Sequence, residues 1–535
     1  MNWNRPGLFV FQLVLAFFLS NLLISHLILR KDISSSNRLT ISEQTNSLLT
    51  SIRRPLSVDA FYSSDLPPEY NVRRDLIREY LNEIAGRNPE YIKIVFHDPD
   101  ASAEIRKKAN DMGLSPNEIR KSSETSQSFQ EVYMGIAVHY DSETEILSDY
   151  FFVEEAESQF VRALRKLSQK NKEPSLAISI DPGVFSFPEP GDGSGKDTWG
   201  VFYHQALVKE YGNPALVRLN DAKIPDSIRL LFVIGSPEWT GKGKLHLEEF
   251  LARGGRMIFL ASSMQFKIEP VRNKNGLSFE KGSQATPNAG LGFWNDLLIH
   301  YGITVGTDLI FDFEHPVPVA NGADHSGWSS KTQYYPLWQF LYKNSGNLHE
   351  SNFLTDKTEF LILPWSSGIR IDPTKQPNIK YEVLIKSDLE AIRKENLFSV
   401  SQNQNFLDRS LEASRVPMGV LLEGKLNPLD SRIKSALPTK MIFFASPYFV
   451  SDILALPEFR TYLREANVPF LLNSIDYLLD ENQYLITRKQ SPAVLPLRAF
   501  SQKERNLYTF FNLAFIPGII VIFAVRRIKR RNSGR

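Results

Sequence analysis

The chain has no cysteine in 535 residues. That absence removes disulfides, thiolate metal sites, thiol nucleophiles and lipid attachment through sulfur in one step, and leaves any exported part of the chain to hold together by packing alone. A surplus of one charge is missing too: 62 basic and 60 acidic residues leave a net charge of +2. The bulk composition therefore gives no footing for a nucleic-acid binder, and the basic excess is local. A nucleotide site is also lacking. The loop Gly191-Asp192-Gly193-Ser194-Gly195-Lys196-Asp197-Thr198 looks like a phosphate cradle. The G-x-x-x-x-G-K-[ST] pattern, however, needs glycine where Pro190 stands and a hydroxyl where Asp197 stands, and Asp197 would repel a phosphate. With no other stretch offering an ATP site, energy has to come from a partner. His300, His315, His325 and His349, with Asp312, Glu314 and Asp324, match no helix-borne ligand pair such as H-E-x-x-H, so spacing assigns no metal ligand, no cofactor and no catalytic residue.

What the chain does have is two long apolar runs. Residues 507–525 (LYTFFNLAFIPGIIVIFAV) carry no charge and run into Arg526, Arg527, Lys529, Arg530, Arg531 and Arg535. At ~1.5 Å per residue such a helix crosses the ~30 Å hydrocarbon layer. The basic tail 526–535 marks the cytoplasmic side, and Pro517 and Gly518 predict a kink in the span. Residues 7–29 (GLFVFQLVLAFFLSNLLISHLIL) form a second uncharged run. A cleaved signal would be shorter and would end in small residues, so an uncleaved anchor is expected. Two spans place the N-terminal 1–6 and the C-terminal tail on one side, in the cytoplasm, and everything between them outside. Asn21, Ser25 and His26 fall at helical spacing in the first span. Two readings stand for them: contacts with a partner helix, or residues near the outer interface.

At this length the chain has room for two or three domains between the anchors. From 38 to 170 the pattern reads strand (Leu56 to Ser63), helix (Tyr70 to Ala85), strand (Tyr91 to His97), helix (Ala101 to Met112), strands (Val132 to Tyr140, Glu145 to Phe152) and helix (Glu154 to Gln169). The order β-α-β-α-β-β-α is that of a thioredoxin-like layer, which without C-x-x-C would serve as a structural or recognition module. From 174 to 490 the strands turn apolar on both faces, the mark of a parallel sheet covered by helices: Leu176 to Ile180, Leu216 to Leu219, Leu230 to Ile234, Met257 to Ala261 and, later, Lys440 to Ala445. Helices are expected at Thr198 to Tyr211, Lys244 to Arg253 and Phe470 to Leu479, with an edge strand at 484–487 and a Pro-bearing linker over 491–506. Residues 265–290 read as a surface insertion. Trp328, Tyr334, Tyr335 and Trp338 crowd one segment, where they either stack on sugar rings in an exposed groove or pack a loop.

In order along the chain, Arg38-Leu39-Thr40-Ile41-Ser42, Phe61-Tyr62 with Leu66-Pro67, Ile224-Pro225-Asp226, Leu251-Ala252-Arg253-Gly254-Gly255, Asp296-Leu297-Leu298 with Tyr301-Gly302-Ile303, Asp308 to Asp312, and Asn473-Ser474-Ile475-Asp476-Tyr477-Leu478 with Arg488-Lys489 resemble the gliding-motility GldG-type auxiliary subunits of ABC transporters. The resemblance implies a membrane-anchored, largely extracytoplasmic subunit that accompanies an ABC-2-type permease and a separate ATPase. It also implies that the second domain is similar to the class I glutamine-amidotransferase-like α/β layer, a fold there shared with intraflagellar-transport proteins and linked to saccharides. Without a cysteine nucleophile the expected use is non-catalytic. The rival expectation is a membrane-tethered glycan or cell-wall binding protein acting alone.

Overall fold

A computed structural model describes residues 41–122, 127–169, 173–189, 195–268, 270–273, 276–279, 282–320, 332–356, 358–396, 398–402, 413–434 and 436–481. No helix among the described residues is long and apolar enough to cross a membrane. The runs 7–29 and 507–525, with Asn21, Ser25 and His26, lie outside them, as do the linker, the basic tail and the edge strand expected at 484–487.

The smaller layer starts with helix α1 (Glu43–Ser51), capped by the Ser42 hydroxyl, which accepts the Thr45 N–H. It continues through β1 (Leu56–Tyr62), α2 (Pro68–Arg87), β2 (Ile92–His97), α3 (Ala103–Asp111), β3 (Met134–Tyr140), β4 (Glu143–Leu147) and α4 (Val153–Gln169). Its strand order is β2-β1-β3-β4, with β1 parallel to β2 and antiparallel to β3. Of the face of α2 anticipated by its apolar spacing, Leu76, Ile77, Tyr80, Leu81 and Ile84, all are buried except Leu76, which is half-buried. One element is additional: an antiparallel hairpin, Asn117–Ser122 with Gln127–Val132, precedes β3 and takes Val132 out of the strand expected to begin there. Its sequence, NEIRKS and QSFQEV, is too polar to show a strand pattern.

The larger layer is a seven-stranded sheet. Strands β5 (Leu176–Ser179), β6 (Ala215–Val217), β7 (Leu230–Gly235) and β8 (Arg256–Ala261) alternate with helix α5 (200–211) and α6 (Gly241–Ala252). Then come β9 (Asp308–Phe311), β10 (Pro316–Ala320), β11 (Thr332–Tyr342) and β12 (Phe360–Pro364), which lie off this sheet. It resumes with β13 (Ile379–Lys386), β14 (Pro417–Lys425) and β15 (Pro438–Phe444), and a long helix, α7 (460–478), closes the described chain. The order is β13-β14-β15-β8-β7-β5-β6, parallel from β6 through β15 and antiparallel at β14 and β13.

Alternate residues of the parallel strands feed two separate cores. Leu230, Phe232, Ile234, Ile258, Leu260, Ile442 and Phe444 pack on α5 and α7, while Leu231, Val233, Met257, Phe259, Met441 and Phe443 pack on α6 and Trp294. That two-sided burial is why these strands read as unbroken apolar runs. Residues 265–290 depart from the expectation of a surface insertion. Met264–Lys267 pairs with Gln284–Pro287, and Met264, Phe266 and Ala285 are buried, Phe266 against Trp365 and Tyr448.

Both layers belong to one compact unit. Arg165 of α4, fully buried, donates to Asp476 Oδ1 at 2.6 Å and to Glu481, and its guanidinium lies 4.2 Å over the Tyr211 ring. The Tyr211 hydroxyl donates to the same Asp476 oxygen at 2.7 Å, and Arg162 pairs with Glu210 beside it.

Candidate functional site

In an open α/β sheet the place to look for a ligand is the crevice beyond the carboxyl ends of the strands, where the strand order reverses. Here that point lies between β5 and β7, and the chain fills it with its own groups. Asp181, buried just past β5, accepts from the Ser179 hydroxyl, the Leu219 and Asn220 N–H groups and Trp239 Nε1. Gly183, at φ +85°, leaves no room for a side chain: a Cβ there would meet the Ser236 carbonyl oxygen at 2.1 Å. Trp294 Nε1 closes the far side by donating to Ser236 Oγ at 2.8 Å. The glycine-rich loop gives no phosphate cradle in its described part. Thr198 Oγ1 is tied to Gly195 by two hydrogen bonds within the loop, and the Tyr448 hydroxyl donates to Asp197.

A cluster of titratable groups sits instead where β9 turns into β10. Asp312 closes this turn: its Oδ1 accepts the N–H of Glu314 at 2.9 Å and of His315 at 3.2 Å, the local bonding that makes aspartate a turn former. The turn brings His315 Nδ1 within 2.7 Å of Oδ2 of Asp388, which lies just past the end of β13. The other Asp388 oxygen accepts from Asn347 Nδ2 at 2.7 Å. Asp312, Asn347 and Asp388 are all buried, His315 is half-buried with its ring edge-on to Tyr342, and Glu314 is exposed. Ligating atoms of Glu314, His315 and Asp388 all lie within 4.8 Å of one another.

Electrostatics here are divided. Burial, and then the charge of Asp388 against it, pushes the Asp312 carboxyl up to about 7. Burial acts on Asp388 in the same direction, but hydrogen bonds from His315 and Asn347 outweigh it and hold that carboxyl below the usual range. The bond to Asp388 raises His315 above an ordinary imidazole, against the effect of burial. Asp312 Oδ2, although buried, meets no donor among the described residues. Two carboxyls side by side are both acceptors once ionised, so only a proton or a cation between them joins them.

A second polar group lies on the smaller sheet. Asp59 of β1 faces His97 of β2 at 2.5 Å, Lys108 of α3 at 2.9 Å and His139 of β3 at 3.2 Å.

Of the aromatics singled out from the sequence, Trp328 lies outside the described residues. Tyr334 is 66% exposed, whereas Tyr335 and Trp338 are fully buried. Tyr335 donates to the Val400 carbonyl and accepts from Trp365 Nε1, and Trp338 packs edge-on against Trp365 and Phe459. These two therefore pack the interior and do not line an exposed sugar groove, because both faces of β11 are buried from Tyr335 through Leu341. His300 and His349 are held apart from His315 by partners of their own, the Asn427 carbonyl and Glu382. Asp388 escaped sequence reasoning because it stands 73 residues from His315. Asp59 had a visible signal, the one charged residue in the strand LSVDAFY.

The larger layer is a two-sided, mostly parallel α/β sheet whose usual binding crevice is filled. Residues 191–474, which run from the loop before α5 almost to the end of α7, match the family described as an ABC-type uncharacterized transport system. The chain belongs to that family and so has a role in an ABC-type transport system, alongside other transporter components. Residues 35–139 match a domain of unknown function. No curated protein matches the chain. Among solved structures, the mmIFT52 N-terminal domain is 11% identical, covering 57% of this chain and 96% of its own at a TM-score of 0.30. The exo-beta-1,4-mannosidase Op5Man5 from Opitutaceae bacterium strain TAV5 is also 11% identical, covering 76% and 50% at 0.25. Neither likeness bears on function.

Proposed function

We propose that the chain is a membrane-anchored accessory subunit, without catalysis of its own, of a complex built from an ABC-2-type permease and a separate ATPase, as in gliding-motility systems. The family match over 191–474 carries this reading. The sequence supports it with two apolar runs at 7–29 and 507–525, a basic tail consistent with both termini in the cytoplasm and the bulk outside, and no nucleotide-binding motif. The strand order β2-β1-β3-β4 is consistent with a thioredoxin-like layer that lacks its redox cysteines, and the larger sheet with an amidotransferase-like layer that lacks its nucleophile.

Purification from detergent under conditions that preserve such complexes tests it. A permease and an ATPase should come with the full-length chain, and recovery of the chain alone would count against the reading. A reporter fused after Arg535 should be reached only from inside the cell; labelling from outside intact cells would overturn the topology. The glycan-binding alternative keeps only Tyr334 exposed among its described aromatics, and we set it aside.

A further inference from the structure

The turn between β9 and β10 carries a cost that its own structural role does not require. Asparagine at 312 would keep the oxygen that accepts the Glu314 and His315 N–H groups and would offer Asp388 a donor. The chain instead places a second carboxyl against Asp388, wholly buried, with no N–H or hydroxyl donor to Oδ2 among the described residues. Beside it are three further ligating groups whose atoms lie within 4.8 Å of one another. An exposed acidic patch would have neither the buried oxygen nor the imidazole.

We infer that Glu314, His315 and Asp388 bind a first-row divalent metal ion, with the Asp312 carboxyl as the neighbour of Asp388 behind them, and that the ion clamps the β9–β10 turn to the end of β13. The donor set is one imidazole nitrogen and carboxylate oxygens, with no thiolate anywhere in the chain, which suits Zn²⁺ or Mn²⁺. The ion takes the place of the proton now held between His315 Nδ1 and Asp388 Oδ2 at 2.7 Å, and it supplies the positive charge that Asp312 Oδ2 lacks. The surrounding bonds already orient the ligands. Asn347 fixes the other oxygen of Asp388, and two backbone N–H groups fix the other oxygen of Asp312, the kind of support that sets ligand geometry in metal sites. The site lies on the larger layer and needs no transporter partner.

Full-length protein stripped with EDTA, dialysed against Zn²⁺ or, separately, Mn²⁺ and analysed for bound metal tests the inference. One ion per chain is expected with at least one of the two metals. Affinity should fall about tenfold or more in Glu314→Gln and in His315→Gln, and also in Asp312→Asn, which keeps the turn's hydrogen bonds. Both Glu314 and His315 reach solvent, so those variants report even if a variant at buried Asp388 fails to fold. Wild-type protein that retains neither metal, or variants that retain it as tightly as wild type, would overturn the site. Because metal is counted on the isolated chain, this outcome is independent of whether a permease and an ATPase co-purify.

Discussion

At the scale of single residues, the acid on β1 gives the clearest pH dependence. Burial alone would raise Asp59, but hydrogen bonds and charges from Lys108 and His97 outweigh it, and its carboxyl is held below the usual range. A depressed carboxyl binds its proton less readily in the folded protein than in the unfolded chain. Its stabilisation is therefore complete above about pH 4, the unfolded value, and is lost as pH falls through the lower folded one. Asp59→Asn should reduce stability by about 1 kcal/mol at pH 6 and flatten the acid limb of the stability curve below pH 4, followed by urea unfolding at several pH values. Equal pH profiles for variant and wild type would show that the ion pairs contribute nothing. Gly183 offers a test of another kind. Its φ of +85°, and the 2.1 Å that would separate an added Cβ from the Ser236 carbonyl oxygen, mean that Gly183→Ala should cost more than about 1 kcal/mol, read by thermal unfolding.

Elements show what was legible in the sequence and what was not. The parallel strands were plain because burial on both faces leaves no polar position in Leu231 to Ile234 or Met257 to Ala261. The amphipathic helices of the smaller layer were plain because one face of each is wet. Short pieces were lost: the 117–132 hairpin is polar on both strands, and the strands within 264–287 are held by contacts distant in sequence, such as Phe266 on Trp365 and Tyr448. The candidate site was half legible. Asp312, Glu314 and His315 stand together in the chain, but Asn347 and Asp388 join them only through the ends of β11 and β13. Helix α7 holds a further detail that no pattern could show. One wide turn bonds Val468 N–H to the Leu463 carbonyl, five residues back, and Asn467 lies in that turn. Its amide bonds both backbone groups of Ile362 on β12 and the Phe449 carbonyl, all buried. Asn467→Ala strands those groups and should cost about 2–3 kcal/mol or more in denaturant unfolding. A loss under ~0.5 kcal/mol would mean that water replaces the amide there.

Across the whole molecule, the two layers are joined by a cation removed from water. Arg165 belongs to the last helix of one layer and is ion partner to the other, and Arg165→Met removes the cation bonded to buried Asp476. The expected loss is about 3–5 kcal/mol, and calorimetry should show two transitions in the variant where the wild type is expected to unfold in one. One unchanged transition in the variant would show that apolar contact alone couples the layers.

The same arginine has a mechanical consequence. Glu481, the last described residue, is gripped by Arg165 and Arg229, and Asp480 by Arg256 and Lys440. A pull along the backbone beyond this point meets these four cations first. Force applied to the chain at Glu481 would be shared with the far layer through Arg165, so the ion pairs at this end of α7 would resist its being peeled from the sheet.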